Sequence, residues 1–291
     1  MISKLGIGTS QFSDNGIYHK KLVSNNETIK IIKNLKKINF VDVAPSYGNA
    51  EKLIGKYLKK NRNIKIITKI DKFKSKNIFK IIKNFKEDFE KSLKNLKVSK
   101  IHSVLFHSEE DLSHPKINLL INVLIELKKK GKIENFGLSS YNISTLEKNV
   151  NKFQLSAVEI PLNCFTISKK NCEILKRLKK NSNAEIYVRS IFMRGYALKD
   201  INFKGKFSVL KKKLNIIDEY VRYKKFTRYD FLLSSIYNLR FIDTCLIGCS
   251  SMEELKRLEK FKPTKINKNI IKKILISNKF VVNPLNWKYE K

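Results

Sequence analysis

The 291-residue sequence predicts an α/β protein, a (β/α)8 TIM barrel with extra helices before strand 8 and at the C-terminus. Eight short apolar runs alternate with longer amphipathic stretches, the pattern of buried parallel strands joined by surface helices. Several runs end in a polar or charged residue, as expected where the carboxyl ends of barrel strands carry a site. An open doubly wound sheet is the alternative. It usually has Gly-x-Gly-x-x-Gly after its first strand, and here Gln11 stands where the third glycine would be.

The predicted strands are the apolar runs bounded by polar or turn residues. In chain order they are Lys4–Ile7, Asn39–Val43, Ile64–Ile70, Ser103–His107, Glu134–Ser139, Ala157–Pro161, Glu185–Ser190 and Thr244–Gly248. Helices are predicted between them, where apolar residues recur at spacings of three and four. The clearest helix face consists of Phe79, Ile82, Phe89, Leu93 and Leu96.

Further helical stretches share this amphipathic spacing. They are Ala50–Lys59, Pro115–Lys130, Cys172–Lys180, Leu210–Arg222, Arg228–Leu239 and Met252–Phe261. Two of them, 210–222 and 228–239, form a double insertion before the last strand, and Lys265–Ser277 is predicted as an extra terminal helix. We expect the tail after Asn278 to be irregular and to cover one mouth of the barrel. Because no stretch rich in Pro, Gly or Ser divides the chain, residues 1–291 are predicted to form a single domain.

The composition bounds location and partners. A net charge of +35 favours anionic partners, but the basic residues are spread along polar helix faces, so we interpret them as a solvated surface. The four cysteines form no Cys-x-x-Cys, and neither a signal peptide nor a long apolar span is apparent. The sequence therefore predicts a cytoplasmic protein without a membrane span or a specific nucleic-acid partner, and leaves its oligomeric state open.

Four polar residues at three successive strand ends indicate a catalytic site. Asp42 and Tyr47 follow the second strand, Lys69 ends the third and His107 ends the fourth. Neighbouring strands lie about 4.8 Å apart, so these side chains can share one pocket. An ammonium beside a phenol stabilises the phenolate, a carboxylate can neutralise that ammonium, and an imidazole can orient a substrate oxygen. The group fits a general acid aimed at a carbonyl oxygen. It holds neither a nucleophile nor a metal site, so we expect a cofactor to deliver hydride.

These residues lie in motifs that resemble those of the aldo-keto reductase family. The matching segments are Phe40–Glu51 with Leu53–Gly55, Thr68–Lys69, Phe89–Leu96 through Leu105–His107, and Gly131–Ile133 through Gly137–Ser140. The resemblance extends from Leu5 to about Leu255. It implies a barrel that reduces aldehydes and ketones with NADPH and needs no metal. It also implies that Tyr47 donates the proton, that Lys69 and Asp42 tune it, and that His107 orients the substrate.

The resemblance further implies a set of cofactor-binding residues. Gly8 and Thr9 match the first-strand loop, Asp42 adjoins the cofactor, and Ser139 matches a serine that contacts the carboxamide. Ser140 stands where asparagine is usual, and Glu159 where glutamine often is. Arg189, followed by Ser190, stands where an aromatic ring would stack on the nicotinamide. That segment is similar to a bacterial branch found among genes for sugars and cell-surface polysaccharides, which hints at a sugar-derived carbonyl.

A helix is predicted to open after Gly248. Ser251 and Glu254 form a capping-box pattern there, and the N-terminus of such a helix would bind a cofactor phosphate. Ser250 stands where family members often have an arginine for the 2′-phosphate, and Leu258 where they often have asparagine. Lys256 or Arg257 could supply the missing cation, so NADPH is predicted without excluding NADH.

Two alternatives to a small-molecule carbonyl reductase stay open. The barrel could bind the cofactor as a non-catalytic binding or regulatory subunit, although the complete group of four polar residues argues against this. The positive charge could also serve RNA or acidic membranes, but no recognisable nucleic-acid module supports that role.

Overall fold

The computed structural model describes residues 4–12, 22–58, 63–201 and 203–287. Among these residues, eight parallel strands pair in sequence order, and the last pairs with the first to close a barrel. The strands are β1 (Leu5–Gly8), β2 (Phe40–Asp42), β3 (Lys65–Ile70), β4 (Ile101–Phe106), β5 (Ile133–Ser139), β6 (Ala157–Pro161), β7 (Glu185–Arg189) and β8 (Thr244–Gly248). The predicted (β/α)8 barrel is confirmed.

Helices connect the strands and cover the sheet. They are α1 (Asn25–Lys33), α2 (Ala50–Tyr57), α3 (Ile78–Leu96), α4 (Ile117–Lys129), α5 (Ile143–Phe153), α6 (Lys169–Ser182), α7 (Ser208–Lys224), α8 (Arg228–Tyr237), α9 (Met252–Lys260), α10 (Lys268–Ile274) and α11 (Lys279–Val282). The double insertion before the last strand is therefore α7 and α8. The second predicted helix, Ala50–Lys59, ends earlier than expected, and its last residue lies outside the described ranges. Helix α5 had no predicted bounds.

The strands read as apolar runs because helices or side chains cover both faces of each strand. Parallel strands buried in this way lose the alternation of polar and apolar residues. In β4, for example, every residue is buried. Polar residues at the carboxyl ends of such strands are therefore conspicuous in the sequence.

The C-terminal tail differs from the prediction of an irregular segment. It forms α11 and a short 3-10 turn at Pro284–Asn286. Trp287 then packs into a second apolar cluster that includes Phe165 and Met193, and its indole Nε1 donates to the Val281 carbonyl at 2.7 Å. Phe165 and Met193 follow β6 and β7, so the tail lies against loops at the carboxyl ends of the strands.

Two findings bear on the predicted compartment. Cys164, Cys172, Cys245 and Cys249 all carry free thiols. Within the described ranges, none of the helices is long and apolar enough to cross a bilayer. The cytoplasmic location stays a prediction.

Helix α2 touches α3 at a glycine. An ideal Cβ on Gly55 would lie 2.0 Å from the carbonyl oxygen of Asn95, so only a residue without a side chain permits this approach. Nearby, the Asn95 amide donates to Glu51 Oε2 at 3.1 Å. The contact holds α2, and therefore the loop that precedes it, at a fixed distance from α3.

We expect Gly55→Ala to lower the free energy of unfolding by about 2 kcal/mol or more, because α2 must move away from α3. Lys52→Ala, on the exposed side of α2, should leave it nearly unchanged. Urea denaturation of both variants measures the difference. Equal stability of the two variants would show that the helices separate without cost.

Candidate active site

The barrel brings the four predicted catalytic residues to one end. Asp42 is the last residue of β2, Lys69 is the penultimate residue of β3, and His107 directly follows β4. Tyr47 lies in the loop between β2 and α2. Because all strands are parallel, these positions share the carboxyl end of the barrel.

Lys69 is the centre of this group. Its side chain is 1% exposed, its ammonium pairs with Asp42 Oδ1, and Glu159 Oε2 lies 3.2 Å away. Glu159 on β6 is equally buried. A buried ammonium requires compensating charge, and this one has two carboxylates on opposite sides of the barrel interior.

Tyr47 and His107 lie next to this cation. The Lys69 ammonium is 5.7 Å from the centre of the Tyr47 ring, and the Tyr47 and His107 rings meet edge to face at 6.3 Å. His107 Nδ1 lies 3.7 Å from Asp71 Oδ1. The four predicted residues are thus in one cluster, and Asp71 joins them.

The cluster perturbs its own carboxylates. Burial, with the negative charge of Glu159, raises the pKa of Asp42 to about 7 despite the adjacent Lys69. Burial also opposes ionisation of Glu159, yet Lys69 and Arg189 hold its pKa below the usual range. Burial alone would lower the pKa of Lys69, but Asp42 and Glu159 raise it above its ordinary value. Lys69 therefore remains a cation throughout the physiological pH range.

Glu159 was predicted to contact the carboxamide, and in the structure it also pairs with two cations. Its Oε1 receives Arg189 Nε at 3.0 Å and the Ser139 hydroxyl at 3.3 Å, while its Oε2 faces Lys69. The Arg189 guanidinium also lies 4.3 Å from the centre of the Tyr141 ring, a stacking distance. Sequence reasoning missed this second counter-ion role because β6 is remote from β3 along the chain.

The two predicted residues of the first-strand loop, Gly8 and Thr9, have different surroundings. A Cβ at Gly8 would lie more than 4 Å from every described residue that is not adjacent to it in the chain. Thr9 is buried, and its hydroxyl donates to the Asp42 carbonyl at 2.8 Å. Thr9 therefore holds the backbone of Asp42 in place through this hydrogen bond.

Ser140, which was predicted to contact the carboxamide, hydrogen-bonds to neighbouring protein groups. Its hydroxyl donates to Glu109 Oε2 at 2.6 Å and accepts from the Asn142 backbone N–H at 2.9 Å. The side chain thus supports the start of α5, whose N-cap is Asn142. Binding of the carboxamide by Ser140 stays a prediction.

Ser190 begins a strained turn after β7. It has φ 62°, and Met193, Arg194 and Gly195 also have positive φ values of 51°, 55° and 88°. Left-handed backbone is unfavourable for residues with side chains, and such strain concentrates at functional sites. Arg189 is the last residue of β7, so this turn directly follows it.

The corner between β8 and α9 differs from the predicted capping box. Ser251 is the N-cap, and its hydroxyl accepts from the Glu254 N–H at 3.2 Å. Glu254 Oε2 accepts from the N–H of Ser250 at 2.6 Å, one residue before the position that a capping box requires. A Cβ at Gly248 would lie 3.1 Å from Gln11 Oε1, so side chains approach this corner closely.

The donor set suits a nicotinamide at the inner end of the pocket. Arg189 has guanidinium N–H groups besides the Nε–H that pairs with Glu159, and the Ser139 hydroxyl oxygen and the Glu159 carboxylate can accept. These groups match the carbonyl and amino groups of a carboxamide. Among the described residues, no group of three or more His, Cys, Asp or Glu side chains could hold a metal ion.

A separate cavity of about 260 Å³ lies between β3 and α3. Asp71, Lys72 and Asp88 line it, and burial together with Asp71 raises the pKa of Asp88. Thr68 lines it too, and its buried hydroxyl has no hydrogen-bond partner among the residues that the structure describes. The lining of this cavity does not include Ser139, Glu159 or Arg189, the residues that suit a carboxamide.

Comparison with known proteins places these residues in a family context. The family model described as "Aldo/keto reductase family" matches residues 4–274. D-arabinose 1-dehydrogenase of Saccharomyces cerevisiae is 32% identical over 117 residues, which are 36% of this chain and 33% of that protein. The match thus spans about a third of that curated relative.

Solved structures share the fold at low identity. An aldo-keto reductase from Bacillus halodurans in its holo form has a TM-score of 0.74 at 19% identity, covering 95% of this chain and 93% of that one. A glycerol dehydrogenase from Gluconobacter oxydans has a TM-score of 0.71 at 17% identity, covering 94% and 90%. The match of the family model over nearly the whole chain shows that this protein belongs to the aldo/keto reductase family.

Proposed function

We propose that this protein reduces an aldehyde or ketone to an alcohol with Tyr47 as the general acid. The observation that carries the proposal is the position of the Lys69 ammonium, 5.7 Å from the centre of the Tyr47 ring and buried between two carboxylates. A reduced nicotinamide, when bound, supplies hydride to the carbonyl carbon. The reaction then needs a proton at the carbonyl oxygen.

Tyr47 donates that proton as negative charge develops on the oxygen. The phenolate left behind is stabilised by Lys69, which Asp42 and Glu159 keep charged and in place. His107 orients the carbonyl oxygen through its imidazole, whose Nδ1 lies 3.7 Å from Asp71 Oδ1. Ser139, Glu159 and Arg189 bind the carboxamide of the nicotinamide. Gly8, Thr9 and Asp42 lie beside the nicotinamide ring.

We propose a broader class of substrates than the name of any single relative suggests. The similar yeast and Gluconobacter proteins are named for D-arabinose and glycerol, and both compounds are polyhydroxylated. We therefore include sugar-derived carbonyls among the substrates to test. NADPH was predicted from the family resemblance, and NADH is tested beside it.

A screen of aldehydes, ketoses and sugar-derived carbonyls with each reduced nicotinamide, followed by ultraviolet absorbance, tests the function. Oxidation of the nicotinamide that depends on the carbonyl supports it. Binding of the nucleotide without turnover across the panel would favour the alternative of a non-catalytic binding subunit.

Tyr47→Phe should reduce kcat by about 10²- to 10⁴-fold, because the ring remains while the proton donor is lost. Binding of the reduced nicotinamide should persist, which fluorescence titration measures. Tyr223→Phe, a matched change at a residue that is 80% exposed, should retain full kcat. Comparable turnover in Tyr47→Phe and the parent protein would exclude Tyr47 as the acid.

Lys69→Met should lower the free energy of unfolding by about 3–5 kcal/mol, because it leaves the buried Asp42 carboxylate without its cation and Glu159 with Arg189 alone. The pKa of Asp42, already about 7, then rises further, so the folded state binds more protons than the unfolded state. Stability of the variant therefore falls as pH rises from about 5 to 8. Urea denaturation at both pH values measures this.

Lys72→Met is the matched control. It removes an exposed ammonium paired with Glu110 at 2.5 Å and should leave stability nearly unchanged at both pH values. A Lys69→Met variant whose stability does not depend on pH in this range would mean that Asp42 and Glu159 find other compensation.

A further inference from the structure

The cavity between β3 and α3 has a buried polar inner end. Lys69 points into the barrel, where it pairs with Asp42, so the preceding residue, Thr68, points outward to α3. Thr68 lines the cavity and is 2% exposed, and its hydroxyl has no hydrogen-bond partner within the described ranges. A buried polar group without a partner is costly. The hydroxyl therefore indicates that a further group binds in this cavity.

Two carboxylates lie at the outer end of the same cavity. Asp71 directly follows β3, and its Oδ1 is buried without a hydrogen-bond partner among the described residues, 3.7 Å from His107 Nδ1. Asp88 on α3 also lines the cavity and is exposed, so it marks the mouth. Burial and the charge of Asp71 raise the pKa of Asp88. A carboxylate oxygen accepts hydrogen bonds, so a cationic donor suits this end.

The neighbouring lysines leave this potential negative. The Lys72 ammonium contacts Glu110 Oε2 at 2.5 Å. Lys91 and Lys74 lower the pKa of Asp88 less than Asp71 raises it. These three lysines are exposed, and water screens their charges more than it screens a buried oxygen.

The walls between the two ends are apolar. Phe85 and Phe89 on α3 are buried, line the cavity and lie 5.9 Å apart between ring centres. The volume of about 260 Å³ equals roughly nine waters. Each water needs two to four polar partners, and these rings offer none. A ligand with an apolar stem therefore fits the cavity better than water does.

One ammonium does not reach both polar ends. Thr68 and Asp71 are three positions apart in extended backbone, so their Cα atoms are separated by about 10 Å. The ligand thus needs a donor at each end. The charged group belongs at the mouth, beside Asp71 and Asp88, because its desolvation costs less there. A neutral hydroxyl suits the inner end at Thr68.

We propose that this cavity binds a small amino alcohol, an organic ammonium ion with an apolar stem and a hydroxyl group. The ammonium donates to Asp71, the stem packs against Phe85 and Phe89, and the hydroxyl pairs with Thr68. This site lies outside the barrel interior and does not depend on the proposed reduction. It adjoins the candidate active site through Asp71, whose carboxylate also faces His107.

Isothermal titration calorimetry of the full chain, without nicotinamide or carbonyl substrate, tests the proposal with three five-carbon probes. Aminopentanol, with its two groups at opposite ends, should bind with a dissociation constant of about 1 mM or tighter. Pentylamine, which lacks the hydroxyl, should bind at least about threefold more weakly. Pentanediol, which lacks the charge, should bind at least about tenfold more weakly than aminopentanol.

Two variants locate the probe. Thr68→Val keeps the side-chain shape and should fold, because the lost hydroxyl has no partner within the described ranges. It should abolish the preference for aminopentanol over pentylamine and leave pentylamine binding unchanged. Asp71→Asn should weaken binding of both amines at least about tenfold. Glu90→Gln, an exposed change on α3 outside the cavity lining, should alter neither affinity.

Three results would overturn the proposal. The first is that no amine binds the parent protein at concentrations up to about 10 mM. The second is that Thr68→Val retains the preference for aminopentanol. The third is that the amines bind equally to the parent protein and to Asp71→Asn. If Asp71→Asn does not fold, Asp88→Asn at the exposed mouth replaces it, with an expected weakening of at least about threefold.

Discussion

Burial of the Lys69 ammonium is the constraint on which the rest of the site depends. A cation removed from water is tolerated only with close compensating charge, and here Asp42 and Glu159 supply it from β2 and β6. Arg189 in turn compensates the second carboxylate at 3.0 Å. Two cations and two carboxylates thus form a linked network. The charge at each position determines which charges its neighbours must carry.

The network explains why local and global electrostatics differ. The chain carries +35, but its solvated charges are screened over about 8 Å. Within the barrel, pairing between buried groups decides the field that a substrate meets.

Much of the fold and part of the site could be predicted from residue order. Parallel strands buried on both faces read as apolar runs, so a polar residue at the end of a run is visible without coordinates. Asp42, Lys69 and His107 were recognised in this way, and Tyr47 by its place in the loop after β2. Their shared location follows from parallel pairing of adjacent strands, which a sequence of alternating strands and helices predicts.

Only the tertiary structure decided which groups meet across the barrel and around its rim. Glu159 and Lys69 are three strands apart in sheet order, and Glu27 reaches Met252 from the other end of the chain. Ser140, although correctly placed at the end of β5, directs its hydroxyl to Glu109. A residue's place within its strand determines its position along the barrel axis. Side-chain partners depend instead on closure of the ring and on loop conformation, which local sequence patterns do not encode.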